Sequence, residues 1–503
     1  PMFVTPVLPT TDGPSHLYNA LIGHSLSIGR SLYEPVFEVA GGFRPNVASW
    51  TILQLLGPLV GWPVAERVLA SLAAIAVFGA VLFLWRRFGQ PEYPLLHCAA
   101  GAWFASSWFL WMGFYDFSLS LAPLFLLPVA LRIDSDVGRE VLVGTLMAVL
   151  FATHLFSFAV GVGLCLFAPT WRTGELRGRL RRLTVRSPFA FLLAHQLFVA
   201  PSLETGSSLV AKFDPLSSFV GVVLGDYLVT FSALDLLGSV VVTVIVLAWL
   251  LSVGRRWLEG ALDLRSEDPH VVMGVCLVIG SIFVPDLVAE GEFVQPRMRA
   301  IGTVFLFGVA TRAEIFRDVA GARVSTAATT VLLVGFAVHT ATVWRAGGVV
   351  SDDLDRLERI MESHGAEEGD WTQNPLIEWK EDGFFRIDPY AHLDDRLNLE
   401  RGFLAAENYE AFRGVFPIRY RVEPNRLAPI DWPDERDVAL EEAGAPWPET
   451  LYVIHPPGFA PTPVDPRIRW GPSRAGKRVA VTRVDLRIRR RATPPTGPER
   501  SGE

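Results

Sequence analysis

The sequence predicts an α-helical polytopic membrane protein with about ten spans and a small external α/β domain at its C-terminus. Of its 503 residues, 50% are hydrophobic and only 19% are charged, and the mean hydropathy is +0.32. Soluble proteins carry about 25% charged residues. The polar residues are also unevenly placed, because residues 346–503 hold 29 of the 52 acidic and 22 of the 45 basic residues. Residues 1–345 are therefore too apolar for a water-soluble protein.

Apolar runs along the chain predict the spans. A bilayer core takes about 20 apolar helical residues, and fewer where a helix is buried among others. Because the chain begins with Pro1 rather than Met, we expect a leading segment before residue 1, either a signal or a further membrane span. Residues 140–170 allow one long kinked helix or two short ones, and residues 49–60 predict a short interfacial or re-entrant helix. The ten runs are 64–85, 95–112, 117–131, 140–152, 154–170, 187–203, 234–253, 270–286, 297–311 and 324–344.

Basic residues in the connections predict the orientation, because Lys and Arg are retained on the cytoplasmic side. One alternating set of connections carries 16 Lys and Arg, and the opposite set carries five. The basic set comprises 86–94, 132–139, 172–186, 254–269 and 312–323. We therefore expect residues 1–63 and the C-terminal domain to lie outside a bacterial cytoplasmic (inner) membrane, on its periplasmic face.

This orientation divides the chain into four parts. They are a first external loop with juxtamembrane helices (1–63), a transmembrane helical domain (64–345), an external C-terminal α/β domain (346–491) and a disordered tail (492–503).

Within the C-terminal domain, the pattern predicts an amphipathic helix and two strands. Residues 352–364 repeat apolar side chains at helical spacing. Residues 451–456 and 478–490 are rich in β-branched residues, and the second run alternates apolar and polar side chains. The Pro-rich stretch 415–472 around the first of these runs predicts an ordered loop.

Composition and motifs exclude several function classes. The net charge of −7 without a basic domain argues against nucleic-acid binding. All three cysteines lie in apolar segments, so neither a disulfide framework nor a cysteine zinc site is available. The sequence carries no phosphate-loop, GxSxG, HExxH or dinucleotide motif that stands out.

The densest group of polar residues is TTDGPSHLYNALIGH at 10–24. Asp12 and His16 stand four residues apart at a predicted helix start, with Tyr18 and Asn19 as supporting residues. A carboxylate here could act as general base on an acceptor hydroxyl, and an imidazole could bind a phosphate or a metal. The alternative is that Asp12 only caps the helix.

A second candidate acid, Asp116, follows Tyr115 in the short turn between two predicted spans. An acid beside hydrocarbon suggests a function, and the alternative is an N-cap for the span that starts at Phe117. His154, in FATHLFSF, could support the same site because it falls near the external end of a possible helix break.

Arg297 and Arg299 are the candidate phosphate-binding residues. They stand at the external mouth of a predicted span and follow Glu290 and Glu292. Arginine suits bidentate recognition of phosphate. The alternative is that the two side chains are interfacial anchors with local ion pairs.

A metal site is the weakest prediction. His392, Asp394 and Asp395 form a His-x-Asp-Asp pattern that could bind a divalent cation. A hydrogen-bonded structural network is the alternative, so the cofactor stays undetermined.

The layout of the whole chain resembles the GT-C glycosyltransferases, in particular the bacterial family 39-related, RgtA/B/C/D-like members. The resemblance rests on TDGPSH (11–16) in the first loop, GFYDFSLSL (113–121), ATHLFSF (152–158) and the external C-terminal domain. These motifs are short. The paired acids common in better-known members are absent, since Gly13 and Pro14 follow Asp12.

The resemblance implies transfer of a sugar from a polyprenyl-phosphate-linked donor to a glycan, lipid or protein acceptor on the external face. It implies that Asp12 is the catalytic base or acceptor-positioning residue, that Asp116 is a second acid, and that Arg297 or Arg299 meets the donor phosphate. Two alternatives remain, a transporter or flippase for a lipid-linked or anionic solute and a non-catalytic membrane assembly subunit.

Overall fold

A computed structural model of the chain is built almost entirely from helices, with a mixed sheet near the C-terminus. It describes residues 2–29, 32–41, 44–89, 93–171, 176–198, 215–259, 268–286, 293–311, 319–373, 386–405, 417–420, 450–455, 457, 468–475 and 478–486.

Over their described residues, nine of the ten predicted spans each fall mainly on one helix, whereas the run 95–112 divides between the helices Pro94–Ala105 and Trp108–Trp111. The short run 49–60 also forms a helix, α2. The helices are α1 (Gly13–Ser27), α2 (Ala48–Val60), α3 (Trp62–Phe88), α4 (Pro94–Ala105), α5 (Trp108–Trp111), α6 (Tyr115–Ala130), α7 (Asp136–Thr153), α8 (Leu155–Trp171), α9 (Leu176–Phe198), α10 (Pro215–Leu224), α11 (Asp235–Leu258), α12 (Pro269–Gly280), α13 (Val294–Ala310), α14 (Val319–Ser363) and α15 (Leu393–Arg401).

Three helices within the described part of the chain are long and apolar enough to cross a membrane: α3, α11 and α14. Shorter apolar helices, among them α6 and α8, pack between and around them. Helix α3 buries small residues such as Ala65, Ala73 and Ala80, which lets neighbouring backbones approach closely. The predicted number of spans therefore stays a prediction, although a helical body built from apolar runs is what the structure has.

The open alternative over residues 140–170 resolves into two helices. Helix α7 ends at Thr153, α8 begins at Leu155, and His154 between them has extended backbone angles. The side-chain oxygen of Asn46 accepts a hydrogen bond from the Leu155 amide, 3.1 Å away, and so satisfies a backbone donor at the start of α8.

Helix α14 runs for 45 residues without a break. The separate amphipathic helix predicted at 352–364 is wrong as an independent element, because it forms the last three turns of α14. The boundary expected at residue 345 also lies inside this helix. A Cβ on Gly347 would meet the Thr5 hydroxyl oxygen at 1.7 Å, so the glycine allows the N-terminal segment to cross the helix closely.

The sheet near the C-terminus has the strand order β3-β2-β5-β7-β6. Strand β5 pairs with β2 in parallel and with β7 antiparallel, and β7 pairs antiparallel with β6. The strands predicted at 451–456 and 478–490 are confirmed as β5 and β7. The strands are β1 (Phe37–Val39), β2 (Trp371–Gln373), β3 (Leu404–Ala405), β4 (Ile418–Tyr420), β5 (Thr450–His455), β6 (Ile468–Ala475) and β7 (Ala480–Leu486).

The expectation of a loop over 415–472 is wrong at its two ends, where β4 and the start of β6 form. The runs in this stretch are short and interrupted by prolines and arginines, so their strand pattern is weak. Most of the stretch, like the tail at 492–503, lies outside the described residues.

Two connections tie the first predicted external loop to the C-terminal segment. Strand β1 pairs antiparallel with β4. The Tyr18 hydroxyl on α1 donates to the Phe403 carbonyl at 3.2 Å and accepts from the Ala405 amide at 3.1 Å. Helix α1 is therefore held against the sheet, which determines the position of the residues at its N-terminus.

Candidate active site

Three segments that are far apart in sequence meet at the start of α1: residues 8–16, 108–116 and 386–396. The Asp12 amide donates to the Met112 carbonyl at 2.8 Å, and the Thr11 amide donates to the Trp111 carbonyl at 3.2 Å. On the other side, the Asp388 amide donates to the Thr11 hydroxyl at 3.2 Å. Backbone hydrogen bonds therefore fix the loop that carries Asp12 between two other segments.

Gly13 and Gly113 allow the segments 8–16 and 108–116 to lie this close together. Gly113 has a φ of +83°, and a Cβ there would meet the Gly13 nitrogen at 2.4 Å. A Cβ on Gly13 would meet Glu66 Oε1 at 2.3 Å and the Tyr115 hydroxyl at 2.8 Å. Side chains at either position would push the segments apart, since real Cβ contacts do not come within 3.0 Å.

Asp12 stands at the N-cap position of α1, and Pro14 lies in the first turn as predicted. The Asp12 side chain, however, makes no capping hydrogen bond. The carboxylate instead faces the His392 ring, with Oδ1 3.6 Å from Nε2, and 14% of the side chain is exposed. The capping explanation for Asp12 is therefore wrong, and a partly exposed carboxylate remains available beside a cation.

His392 lies between two acids. Its Nδ1 is 3.5 Å from Asp395 Oδ2, and Asp395 is buried. Burial opposes charge on the ring, but the contacts with the Asp12 and Asp395 carboxylates and their negative charges outweigh it and raise the pKa of His392 well above its ordinary value. The ring is therefore an imidazolium at neutral pH. It fixes the direction of the Asp12 carboxylate and balances its charge.

A second buried acid, Glu66 near the start of α3, lies beneath this loop. Its Oε1 accepts hydrogen bonds from the Tyr115 hydroxyl at 2.8 Å and the Thr10 hydroxyl at 3.0 Å. Its Oε2 pairs with Arg396 Nη1 at 3.3 Å, and Arg396 Nη2 donates to the Leu8 carbonyl at 3.0 Å. Glu66 therefore connects α3, α6, α15 and the Asp12 loop.

Of the other residues predicted around α1, only His16 and Tyr115 lie beside Asp12. The two rings are 5.9 Å apart, and the side chain of His16 is partly exposed. Tyr18 points to the sheet, as described above. The side-chain amide of Asn19 donates to the Ser15 carbonyl at 2.9 Å within α1. Tyr18 and Asn19 therefore help to hold the helix in place.

Asp116 caps a helix, although not the one expected. Its Oδ1 accepts from the Ser49 amide at 2.7 Å, and its Oδ2 accepts from the Ser49 hydroxyl at 2.8 Å. Ser49 lies in the first turn of α2, where backbone N–H groups lack partners within the helix. Asp116 itself lies in the first turn of α6. Its carboxylate thus joins α6 to α2.

The Arg299 guanidinium binds another side chain of the protein. Its Nε and Nη2 contact the two carboxylate oxygens of Asp226 at 3.1 and 2.8 Å, and the residue is buried. This bidentate ion pair uses the same donor geometry that phosphate recognition would need. The sequence could not indicate it, because Asp226 lies 73 residues away.

Arg297 lies at the edge of an aromatic surface, which we define as Trp108, Phe114 and Phe293. Its guanidinium carbon is 5.2 Å from the centre of the Phe114 ring. The centre of the Phe293 ring lies 5.7 Å from that of Phe114 and 5.0 Å from that of Trp108, and the Trp108 and Phe114 rings are 5.9 Å apart. The guanidinium carbon of Arg386 lies 4.9 Å from the Trp108 ring, its Nη1 lies 3.9 Å from Asp226 Oδ2, and its side chain is 27% exposed. Two arginines therefore flank one aromatic surface.

This aromatic surface adjoins the Asp12 loop, because Phe114 follows the residues that pair with Thr11 and Asp12. His154 lies on its other side, with its ring 5.1 Å from that of Phe117, and the Arg297 guanidinium is 5.3 Å from the same Phe117 ring. The predicted supporting residues Glu290 and Glu292 lie outside the described residues.

The donor set does not fit a divalent cation. Within the described residues, no three His, Cys, Asp or Glu side chains are grouped so that they could hold a metal ion. His392 is protonated between its two acids, and a metal ligand requires the neutral imidazole. Asp394 lies on the same helix turn as Asp395. The alternative of a hydrogen-bonded structural network describes these residues better.

Sequence reasoning missed Glu66, Arg386 and Arg396. Glu66 did carry a signal, because it is an acid inside the first predicted span, and intramembrane ionisable residues are functional candidates. The side chains of the two arginines contact partners that lie 160 or more residues away, so no local pattern marks them.

One comparison with known proteins shows the fold. No protein-family model matches the chain, and no curated protein matches its sequence. The crystal structure of ArnT from Cupriavidus metallidurans in the apo state is similar over 96% of this chain and 95% of that chain, with a TM-score of 0.52 and 12% sequence identity. ArnT is a GT-C family glycosyltransferase. The chain therefore has a GT-C-like fold, as the sequence resemblance implied.

Proposed function

We propose that the protein is a membrane glycosyltransferase that moves a sugar from a polyprenyl-phosphate-linked donor to an acceptor hydroxyl at the external face of the membrane. The observation that carries this proposal is the Asp12 carboxylate. It is partly exposed, makes no cap, and is oriented by His392 where the first loop meets the C-terminal segment. The GT-C-like fold supports the same class of reaction.

In the proposed reaction, Asp12 acts as the general base. The acceptor oxygen attacks the anomeric carbon of the donor sugar, and the bond from that carbon to the phosphate oxygen breaks. The proton of the acceptor hydroxyl passes to Asp12, and the polyprenyl phosphate leaves with the bonding electrons. His392 is a positioning residue, since it contacts Asp12 rather than the substrate. Because positioning is a large part of catalysis, a carboxylate held in one orientation accelerates the transfer more than a mobile carboxylate does.

His16 is proposed to contact the acceptor, since it is partly exposed and lies beside Asp12 at the N-terminus of α1. Tyr115 is buried and donates its hydroxyl to Glu66, so it is a positioning residue. Glu66 and Asp116 are positioning residues in this scheme. Each of these carboxylates is committed to at least two hydrogen bonds that join helices.

Donor binding is assigned to Arg297 and Arg386. An arginine at each edge of the aromatic surface gives cations for the phosphate, and the rings between them offer an apolar face for the first isoprene units. Arg386 also lies 3.9 Å from Asp226, but Arg299 is buried and contacts both carboxylate oxygens of Asp226, so we assign Arg299 the role of holding the start of α13 in place. The proposal places the protein in a bacterial inner membrane, with membrane lipids around it and no nucleic-acid partner.

The test is a transfer assay with purified protein in liposomes, using polyprenyl phosphates that carry radiolabelled sugars and a panel of envelope lipids and glycans as acceptors. The proposal expects label in an acceptor and release of free polyprenyl phosphate. Movement of the lipid-linked sugar between leaflets without transfer would support the flippase alternative, and would overturn the enzyme assignment.

A further inference from the structure

A second polar site lies at the opposite end of the helical body. It is a cavity of about 140 Å³ between the ends of several helices, and four arginines line it: Arg132, Arg139, Arg182 and Arg186. Glu66 near the active site and Phe88 at the cavity both belong to α3. The 22 residues between them span about 33 Å at 1.5 Å per residue. The cavity is therefore on the face that the basic connections mark as cytoplasmic, and is separate from the proposed donor site.

Three of the four arginines are compensated by acids. Arg132 pairs with Asp268, and Arg139 pairs with Asp136. Arg186 is buried and contacts both carboxylate oxygens of Glu140, at 2.8 and 3.0 Å. These pairs fix the arginines in the cavity wall.

Arg182 differs from these three. Among the residues that the structure describes, it makes no ion pair with an acid, although it lines the cavity and is partly buried. Among the described residues, the four cavity arginines contact three acids, Asp136, Glu140 and Asp268, which leaves one positive charge in excess. The remaining wall is largely apolar and includes Phe88, Leu131 and Leu164.

We propose that this cavity binds the phosphate group of an anionic phospholipid, with Arg182 as its principal contact. Basic pockets between helices on the cytoplasmic side are suited to anionic headgroups. The apolar wall favours a lipid over a free phosphate, because it can accept the glycerol backbone and the upper part of an acyl chain. The site would anchor the protein to anionic lipid on the face opposite the proposed reaction.

The experiment compares two neighbouring arginines. Arg182→Gln removes the cavity cation, whereas Arg181→Gln removes an exposed cation next to it that does not line the cavity. Binding of phosphatidylglycerol to the full-length protein is measured by native mass spectrometry from neutral detergent, with phosphatidylcholine and inorganic phosphate as separate probes. Thermal unfolding without added lipid confirms that each variant is folded.

The proposal expects phosphatidylglycerol to bind the unmodified protein in preference to phosphatidylcholine. Arg182→Gln should weaken that binding by about 10-fold or more, the effect of one charge-assisted contact, and Arg181→Gln by less than about 2-fold. Arg182→Lys should fall between them, since it keeps the charge but loses the planar donor pair.

Equal losses of phosphatidylglycerol binding in Arg181→Gln and Arg182→Gln would overturn the proposal, because they would reflect only general surface charge. Inorganic phosphate that competes with the lipid at low concentration and depends on Arg182 would overturn the lipid as the source. It would identify a soluble phosphate ester as the occupant.

Discussion

Replacing Glu66 by Gln is expected to destabilise the protein strongly, because this carboxylate joins four parts of the structure. Glu66 is 1% exposed and its partner Arg396 is 7% exposed. Removing one partner of a buried ion pair leaves the other charge uncompensated, which costs about 3–5 kcal/mol. Tyr115→Phe removes only one hydrogen bond to the same carboxylate and should cost about 1.5–3 kcal/mol. The order of the two effects follows directly from the number of contacts each change removes.

The assay is the free energy of unfolding in mixed micelles titrated with a denaturing detergent, for Glu66→Gln, Arg396→Met and the double variant. Because the double variant removes both charges, its free energy of unfolding should fall by less than the sum of the two single losses. The difference should be at least about 1.5 kcal/mol. Tyr18→Phe, which removes a hydroxyl that hydrogen-bonds to two backbone groups, serves as the control for loss of neutral hydrogen bonds. A loss below about 1 kcal/mol for Glu66→Gln, or simple additivity in the double variant, would refute the role of the pair.

Three further predictions concern the pH dependence, the arginines and the orientation. His392→Gln should reduce stability most below about pH 6.5, and the difference from the unmodified protein should shrink as the pH rises through the raised pKa of His392. The reason is that a group with a raised folded-state pKa stabilises the fold only while it holds its proton. A difference in thermal unfolding that stays constant over the whole pH range would contradict this. Arg297→Gln should weaken donor binding by about 10-fold or more, whereas Arg299→Gln should mainly lower the unfolding temperature; donor binding that depends equally on both would contradict the separation. In a background with Cys98 and Cys276 changed to Ser, a cysteine at exposed Glu362 should react with an impermeant thiol reagent from outside intact cells, and one at exposed Asp136 should react only after permeabilisation.

The helical body could be predicted from the sequence because its signal is local. Nine of the ten apolar runs each fall mainly on one helix, the run 95–112 divides between α4 and α5, and the break at His154 is one of the two alternatives that the sequence leaves open. The continuity of α14 was missed, since its polar last turns differ in composition from its apolar middle. A helix that leaves an apolar environment keeps its own hydrogen bonds, so composition changes along it while the backbone does not.

The candidate site could be predicted only in part. Asp12 and His16 stand out because they are close in sequence at a helix start. The features that decide their roles are tertiary: His392 comes from a segment 380 residues away, and the absence of a cap on α1 depends on where the Asp12 side chain points. The sequence likewise could not show that Asp116 caps α2 or that Asp226 holds Arg299, because each partner lies on another element.

The most direct test of the central claim is sugar transfer by the Asp12→Asn variant, compared with the unmodified protein once its transfer activity is measured. The substitution keeps the size of the side chain but removes the proton acceptor, so the proposed general base predicts a fall in the transfer rate of about 100-fold or more with little change in thermal unfolding. The exposed Asp134→Asn, on the opposite face, is the matched control and should transfer normally. Transfer by a folded Asp12→Asn variant within about threefold of the unmodified rate would contradict the account, since a general base contributes at least about 100-fold.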